Sequence, residues 1–295
     1  MPLDNKVIII TGAVGFIGSS LFKHFNKKNY SFILISSTFS PYVKKNNISY
    51  INKDNLKKIS QILKNIEKIE YIFLSHGEIN HVNTLNHTIK DHFKITKFIF
   101  EYVKYKDIKK IIYFGSSEEY GNVKSPISEN DTVLPLTNYA KAKLLNTSYL
   151  IENSIKYKIN TTVLRLFLVY GPGQKLPRLI PYLLDCSLNS KIAHLKSINS
   201  VKDFLHINDL ISIIKKIIIS KDTNCEIYNI GSGSKISIKK VLDMFKKYYD
   251  LDFIISEQSR SSEISIQYPS LKKIRKVINF KINLNLNEGI KNLVR

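Results

Sequence analysis

Residues 7–18 read VIIITGAVGFIG. Val7, Ile8, Ile9 and Ile10 run into Thr11, and glycines then fall at 12, 15 and 18 in the spacing G-x-x-G-x-x-G. So dense an apolar run suits a strand buried on both faces. Glycine at its end allows a tight turn, a close backbone approach to a pyrophosphate and close packing of the following helix. The N-terminus of that helix favours the phosphate charge. The stretch predicts a strand–turn–helix unit that binds a dinucleotide, with Gly12, Gly15, Phe16, Ile17 and Gly18 at the cofactor.

Outward from this unit, the N-terminal half alternates apolar runs with helical patterns, which predicts a parallel sheet with crossover helices. The expected strands are Val7–Ile10, Phe32–Ile35, Tyr71–Leu74, Ile111–Phe114 and Thr162–Phe167. The expected helices are Phe16–Lys27, Leu56–Ile66, Ile89–Tyr105 and Tyr139–Lys156. After Gly171-Pro172-Gly173 the alternation becomes less regular. The fold class is therefore α/β, a Rossmann-like doubly wound parallel sheet with a smaller C-terminal substrate-binding lobe. Residues 1–171, with 206–230 returning, form the dinucleotide-binding core, and 172–205 and 231–295 the lobe.

The chain has 295 residues, 43% of them hydrophobic, enough for one large core and too many for disorder. No apolar run approaches the ~20 residues of a membrane span. The opening MPLDNKVIIITG lacks the pattern of a signal peptide. Two cysteines, Cys186 and Cys225, stand outside any C-x-x-C pair. They read as buried thiols of a reducing cytosol, so the expected location is cytoplasmic, without disulfide framework, zinc site or other metal. The formal net charge is +21. A basic balance of this size raises nucleic acid as a partner. Yet the lysines are spread along the whole chain amid abundant Asn and Ile, the pattern of an A/T-biased genome. Neither nucleic acid nor membrane is expected as a partner.

The end of the second strand reads Ile35-Ser36-Ser37-Thr38. An acid there would bind the ribose hydroxyls of NAD. Ser36 and Ser37 would instead hydrogen-bond a 2′-phosphate, with Lys44 or Lys45 nearby, so NADP is the favoured cofactor and NAD the alternative. Asp54 reads either as an adenine contact or as a helix N-cap.

Tyr139 and Lys143 lie four residues apart in a helical stretch, hence on one face. An ammonium beside a phenol favours the phenolate, which makes tyrosine a usable proton donor and acceptor near neutral pH. Upstream, Ile111–Gly121 reads IIYFGSSEEYG, a strand that ends in Ser116 and Ser117. Hydroxyls at the carboxyl end of a parallel strand lie where such sheets bind ligands. They also suit helix or turn capping. Ser117 and Glu118 are the possible acid/base residues, and Glu118 and Glu119 also read as solvated turn residues.

With these motifs in place the sequence resembles the extended short-chain dehydrogenase/reductases, in particular the group of nucleotide-sugar epimerases, dehydratases and reductases. The family's T-G-x-x-G-F-I-G is intact at Thr11–Gly18, its Tyr-Gly at Tyr120-Gly121 and its Tyr-x-x-x-Lys at Tyr139 and Lys143. RLFLVYGPG at 165–173, KDFLHINDL at 202–210, YNIGSG at 228–233 and Asn287-Glu288-Gly289 resemble its later motifs.

The resemblance implies a catalytic set of Ser116, Tyr139 and Lys143, with Ser117 and Glu118 at positions that hold an Asp-Glu pair in many sugar 4,6-dehydratases. Serine at 117 weakens that reading. GSSEEYG is similar to the corresponding string of GDP- or CDP-linked 4-keto-6-deoxyhexose 4-reductases. RLIPYLLDC, KDF and IGSGSKISI resemble CDP-abequose or paratose synthases. Three departures stand out: Leu168 replaces an Asn that touches the substrate diphosphate, Lys202 replaces an Arg, and Leu74-Ser75-His76-Gly77 replaces His-Leu-Ala-Ala. Ser75, His76 and Gly77 are expected at the cofactor, with His76 lining the nicotinamide side or serving structure. Ser117, Glu118, Arg178 and Lys202 are expected at the substrate.

The function so implied is NADP-preferring 4-reduction of a nucleotide-linked 4-keto-6-deoxyhexose, whose two negative charges a basic surface would steer inward. A nucleotide-hexose 4-epimerase using NAD comes next, then a 4,6-dehydratase, then a silent dinucleotide sensor on the same fold. Family likeness also implies a homodimer through Phe93–Tyr105 and Tyr139–Leu150.

Overall fold

A computed structural model describes residues 6–26, 30–38, 47–77, 83–195, 198–220, 225–255 and 266–294. Its first elements are β1 (Val7–Thr11), α1 (Phe16–Phe25), β2 (Ser31–Ser36), β3 (Ile48–Asn52), α2 (Leu56–Lys64), β4 (Lys68–Leu74), α3 (Leu85–Val103), β5 (Asp107–Ser116), α4 (Asn138–Tyr157) and β6 (Thr161–Leu166). There follow β7 (Leu168–Tyr170), α5 (Leu179–Leu188), β8 (Ala193–Leu195), β9 (Val201–Lys202), β10 (Phe204–His206), α6 (Ile207–Ile219) and β11 (Glu226–Ile230). The chain ends with β12 (Ile236–Ser237), α7 (Ile238–Tyr249), β13 (Phe253–Ile255), β14 (Ile266–Gln267), α8 (Lys272–Val277) and α9 (Leu286–Lys291).

The chain forms two compact units. The first is Met1–Glu119, Pro135–Arg165 and Lys221–Tyr228; the second is Tyr120–Leu134, Leu166–Ser220 and Asn229–Arg295. Residues 120–134, 166–171, 206–220 and 229–230, expected with the dinucleotide-binding core, group with the second unit.

Among the described residues the main sheet has seven strands in the order β11-β6-β5-β4-β1-β2-β3. The pairs β3–β2, β2–β1, β1–β4 and β4–β5 are parallel. This is the Rossmann order, and the α/β class expected from the sequence is the one observed. The chain reverses its direction of strand addition at β1, between β2 and β4. Open α/β sheets bind ligands at such a switch point, beyond the carboxyl ends of the strands.

Every residue of β1, β2 and β6 is buried, as the apolar runs of β1 and β2 require; β6 buries two threonines and an arginine as well. Ile9, Ile33 and Ile72, all fully buried, join Ile99 and Phe100 of α3 in one core. Each such side chain contributes roughly 1.5–3 kcal/mol of transfer free energy. On α3 the buried stripe Thr88, His92, Ile95, Thr96, Ile99 and Val103 follows the helical period.

The expected elements are present with shifted ends. Helix α1 stops at Phe25 and α2 at Lys64, where Asn26 and Asn65 close the last turns. Helix α3 starts earlier than expected because the Thr84 side chain accepts the His87 amide and caps it. β3 was not expected at all.

The second unit has its own core, with Leu183, Val241, Leu242, Phe245 and Ile290 at its centre. The Asp203 carboxylate, wholly buried, accepts the amides of Ser232, Gly233 and Ser234 and the hydroxyl of Ser232 at 2.6–3.0 Å. That bundle pins the IGSG turn to the chain between β9 and β10.

Candidate active site

The glycine turn is a built cradle. Gly12 has φ +63°, and a Cβ there would lie 2.7 Å from the carbonyl oxygen of Ser75. A Cβ on Gly18 would lie 2.2 Å from the carbonyl oxygen of Gly12, so the helix packs onto the turn with no room for a side chain. The Gly15 amide donates to the Gly12 carbonyl at 2.9 Å. Gly15 caps α1 without a side-chain acceptor, and no acid occupies the first turn. The first amides of α1 therefore keep their partial positive charge for an external anion. Phe16 and Ile17 open this helix. These residues fit the pyrophosphate of a nicotinamide dinucleotide.

The other side of the cradle is the end of β4. Ser75 Oγ donates to the Thr11 carbonyl at 2.6 Å and ties the turn after β4 to the end of β1. His76 is buried. Its Nε2 lies 2.8 Å from the His92 carbonyl, an acceptor only, so the proton sits on Nε2. Nδ1 then accepts from Thr11 Oγ1 at 2.7 Å. Burial above all, helped by the charge of Lys143, holds the imidazole pKa down at about 3. Thus His76 is a neutral pin between β1, β4 and α3. Gly77 packs against the His92 ring.

The end of β2 carries the two serines expected at the ribose. Ser36 is buried and pairs in register with Asn52 of β3, while Ser37 is exposed. Their carbonyls accept the Lys53 amide at 2.9 Å and the Asn52 side chain at 3.2 Å. Lys44 and Lys45 lie outside the described residues. Asp54 is exposed and does not cap α2, because the Asn55 side chain accepts the Lys58 amide instead. Asp54 lines a cavity of about 200 Å³ with Lys53, Asp91, His87, Lys90 and Lys94. Lys53 and Asp91 form an ion pair there.

Ser116, Tyr139 and Lys143 are all buried and come from two elements, the end of β5 and the first turns of α4. Thr137 caps α4 by accepting the Ala140 amide at 3.0 Å, and its hydroxyl donates to Glu118 Oε2 at 3.2 Å. The Lys143 ammonium donates to the Phe114 carbonyl at 2.9 Å and sits 5.2 Å from the Tyr113 ring centre and 5.8 Å from that of Tyr139. The cation is thus held within reach of the phenol it would tune. Ser116 Oγ accepts the Glu118 amide at 3.2 Å. A hydroxyl has one proton and two lone pairs, so the Ser116 proton remains available to donate. Ser117 is buried at the start of the short turn Ser117–Tyr120.

Two features of this site were not read from the sequence as they stand. Glu119 is not a solvated turn residue. It is wholly buried, and its carboxylate accepts the Ser116 amide, the Thr147 hydroxyl and Arg165 Nε. The other is His92, a buried histidine on α3 whose ring meets Tyr139. Arg178 and Lys202 belong to the second unit: Arg178 precedes α5 at its N-cap and Lys202 lies in β9, both half-buried. Among the described residues no group of three or more His, Cys, Asp or Glu is placed to hold a metal, and no helix is long and apolar enough to cross a membrane.

A glycine cradle at the switch point, with serine, tyrosine and lysine converging from β5 and α4, is the architecture of an extended short-chain dehydrogenase/reductase. The chain belongs to the NAD dependent epimerase/dehydratase family, whose model matches residues 8–231. It is 27% identical to the ADP-L-glycero-D-manno-heptose-6-epimerase of Brachyspira hyodysenteriae, over 97% of this chain and 96% of that one. It is 22% identical to the dTDP-4-dehydro-6-deoxyglucose reductase of Escherichia coli, over 100% of this chain and 98% of the other. Its fold is similar to that of UDP-glucuronic acid 4-epimerase from Bacillus cereus, solved with UDP-glucuronic acid and NAD. That TM-score is 0.86, with 21% identity and 97% of each chain covered.

Proposed function

We propose that this protein is a nucleotide-sugar oxidoreductase that reduces the C4 keto group of a nucleotide-linked 4-keto-6-deoxyhexose, with NADP as the preferred cofactor. The nicotinamide, when bound, supplies the hydride. Tyr139 protonates the alkoxide oxygen that develops at C4. Lys143 favours the ionised phenol and so sets the proton affinity of Tyr139. The Ser116 hydroxyl donates to the same sugar oxygen, and Arg178 and Lys202 are assigned to the substrate phosphates.

One observation carries the choice of reduction over dehydration. Elimination of water across C5 and C6 needs a pair of acids after Ser116, and the first of these positions is Ser117. Of the two glutamates that follow, Glu119 is enclosed by three donors and Glu118 accepts from Thr137. The likeness to a dTDP-4-dehydro-6-deoxyglucose reductase supports the same reading. The absence of an acid at the end of β2 supports NADP. A C4 epimerase with NAD is the second reading, favoured by the likeness to a UDP-glucuronic acid 4-epimerase and by its need for the same serine, tyrosine and lysine.

The test is nicotinamide absorbance with excess NADPH or NADH and dTDP-, GDP- or CDP-4-keto-6-deoxyhexose. Stoichiometric loss of reduced cofactor with one sugar is expected. No loss of reduced cofactor with any of these sugars, together with interconversion of a nucleotide-linked hexose and its C4 epimer, overturns the reductase reading in favour of the epimerase. We also infer a cytoplasmic enzyme, supported by the free thiols of Cys186 and Cys225, and a homodimer through α3 and α4. The exposed Leu145 and Ile155 of α4 support the dimer, and light scattering after gel filtration tests it.

A further inference from the structure

Arg165 is a charged residue one position from the carboxyl end of β6, a strand with all six residues buried. Its Nε donates to Glu119 Oε2 at 2.9 Å, and the two side chains are 4% and 0% exposed. Taking two ions out of water is costly, and an apolar pair of similar volume commonly stabilises a fold as well or better. Stability alone is therefore a poor reason for this pair to be here.

Its geometry suggests another. Glu119 Oε1 accepts the Ser116 amide at 2.8 Å, and Oε2 also accepts the Thr147 hydroxyl at 3.0 Å. Thr147 lies one turn beyond Lys143 on α4 and two turns beyond Tyr139. A Cβ on Gly115 would fall 2.6 Å from Oε1, so the carboxylate is pressed against the end of β5. One side chain thus binds the strand end that carries Ser116 to the helix that carries Tyr139 and Lys143. Arg165 fixes that side chain from β6, because a charge-assisted bond to a guanidinium restricts the carboxylate plane.

We propose that Glu119 is the positioning residue of the site: anchored by Arg165 and Thr147, it fixes Ser116 relative to Tyr139 and Lys143. The proposal rests on the reading of Ser116 as a substrate-facing hydroxyl. Glu119 touches neither substrate nor cofactor, and it acts through the Ser116 backbone.

The test uses the full chain with the double substitution Glu119→Met/Arg165→Met, which keeps volume and removes both charges together, and Thr147→Val as a milder second variant. The double variant is expected to keep its Tm and its Kd for NADPH. Its kcat falls about 30- to 100-fold, as an ångström-scale misplacement does, and KM changes less. In a Ser116→Ala background the same pair of substitutions costs less than about twofold, because residues that act through one another are not additive. Equal losses in both backgrounds overturn the proposal. A crystal structure of the double variant gives a readout free of activity: Ser116 Oγ is expected to move by about an ångström relative to the Tyr139 hydroxyl. An unmoved Ser116 overturns the proposal whatever the substrate. Failure of the functional reading shows separately, as wild-type protein that turns over no nucleotide-linked keto sugar while Ser116 still moves in the variant.

Discussion

The ring of His92 stands edge-on to the ring of Tyr139, with centroids 5.5 Å apart and planes at 80°. His92 is buried, and its backbone carbonyl accepts the Nε2 proton of His76. Helix α3 therefore braces the proposed proton donor from behind and holds the end of β4 through the same residue. His92→Ala is expected to lower stability by about 3 kcal/mol, the scale of truncating a buried ring. It should also lower kcat more than it changes KM, because Tyr139 loses its backing. His92→Phe, which restores the edge contact, should recover most of the stability. Thermal melts and steady-state kinetics on the two variants check this.

Tyr139→Phe keeps the ring contact with His92 and removes the proton. Turnover is expected to drop by about 10²- to 10⁴-fold, the usual share of general acid–base catalysis. Cofactor titration should give an unchanged Kd. A variant that turns over like wild type removes Tyr139 from the mechanism.

The pH dependence of stability follows from His76. Its native pKa is about 3, against an ordinary value of 6.5. The unfolded chain binds the proton more readily, so the contribution of neutral His76 is complete above pH 6.5 and is lost as pH falls toward 3. The slope in that window is about 1.4 kcal/mol per pH unit from this group alone. Urea midpoints measured between pH 4 and 7 should show a steeper acid loss for wild type than for His76→Gln. Parallel curves would contradict a neutral buried imidazole.

At the cradle, Gly12→Ala meets two obstacles. A left-handed φ costs an L-residue about 1–2 kcal/mol, and the new methyl would overlap the Ser75 carbonyl. Loss of about 2 kcal/mol or more is expected, with a weakened fluorescence titration by NADPH. Gly12→Ala protein that binds NADPH as tightly as wild type would rule out the pyrophosphate turn.

Cofactor choice is testable at the exposed end of β2. Ser37→Asp places a carboxylate where a ribose 2′-substituent would lie. It repels a 2′-phosphate and accepts from ribose hydroxyls. The ratio of NADPH to NADH affinity is expected to fall by about 100-fold, a difference of about 3 kcal/mol. An unchanged ratio would place 2′-recognition elsewhere.

Much of this was readable from residue patterns because buried parallel strands declare themselves. VIIIT and SFILIS have no polar alternation to confuse, and the glycines at 12, 15 and 18 punctuate the first turn. By contrast, ISYIN of β3 left no such mark. It lies at the edge of the sheet with only Ile51 buried, so its pattern is that of a loop. The adjacent acids at 118 and 119 look alike on paper, and a turn of four residues carries no period to separate a buried one from a half-exposed one. The signal for Glu119 lay 46 residues away. An arginine within TTVLRLF, a strand otherwise apolar or hydroxyl-bearing, must have a buried counter-charge. His92 also left a trace, since it falls on the apolar stripe of α3.

The pairing of Glu119 with Arg165 also limits how this chain is divided. A fragment that stops short of residue 165 still carries the glycine turn, Ser116, Tyr139 and Lys143. Yet it leaves an acid buried beneath the Ser116 amide with no guanidinium to meet it. Truncation series built on this scaffold should therefore keep residues 116–165 together, whereas a permutant, which loses neither residue, leaves the pair free to form.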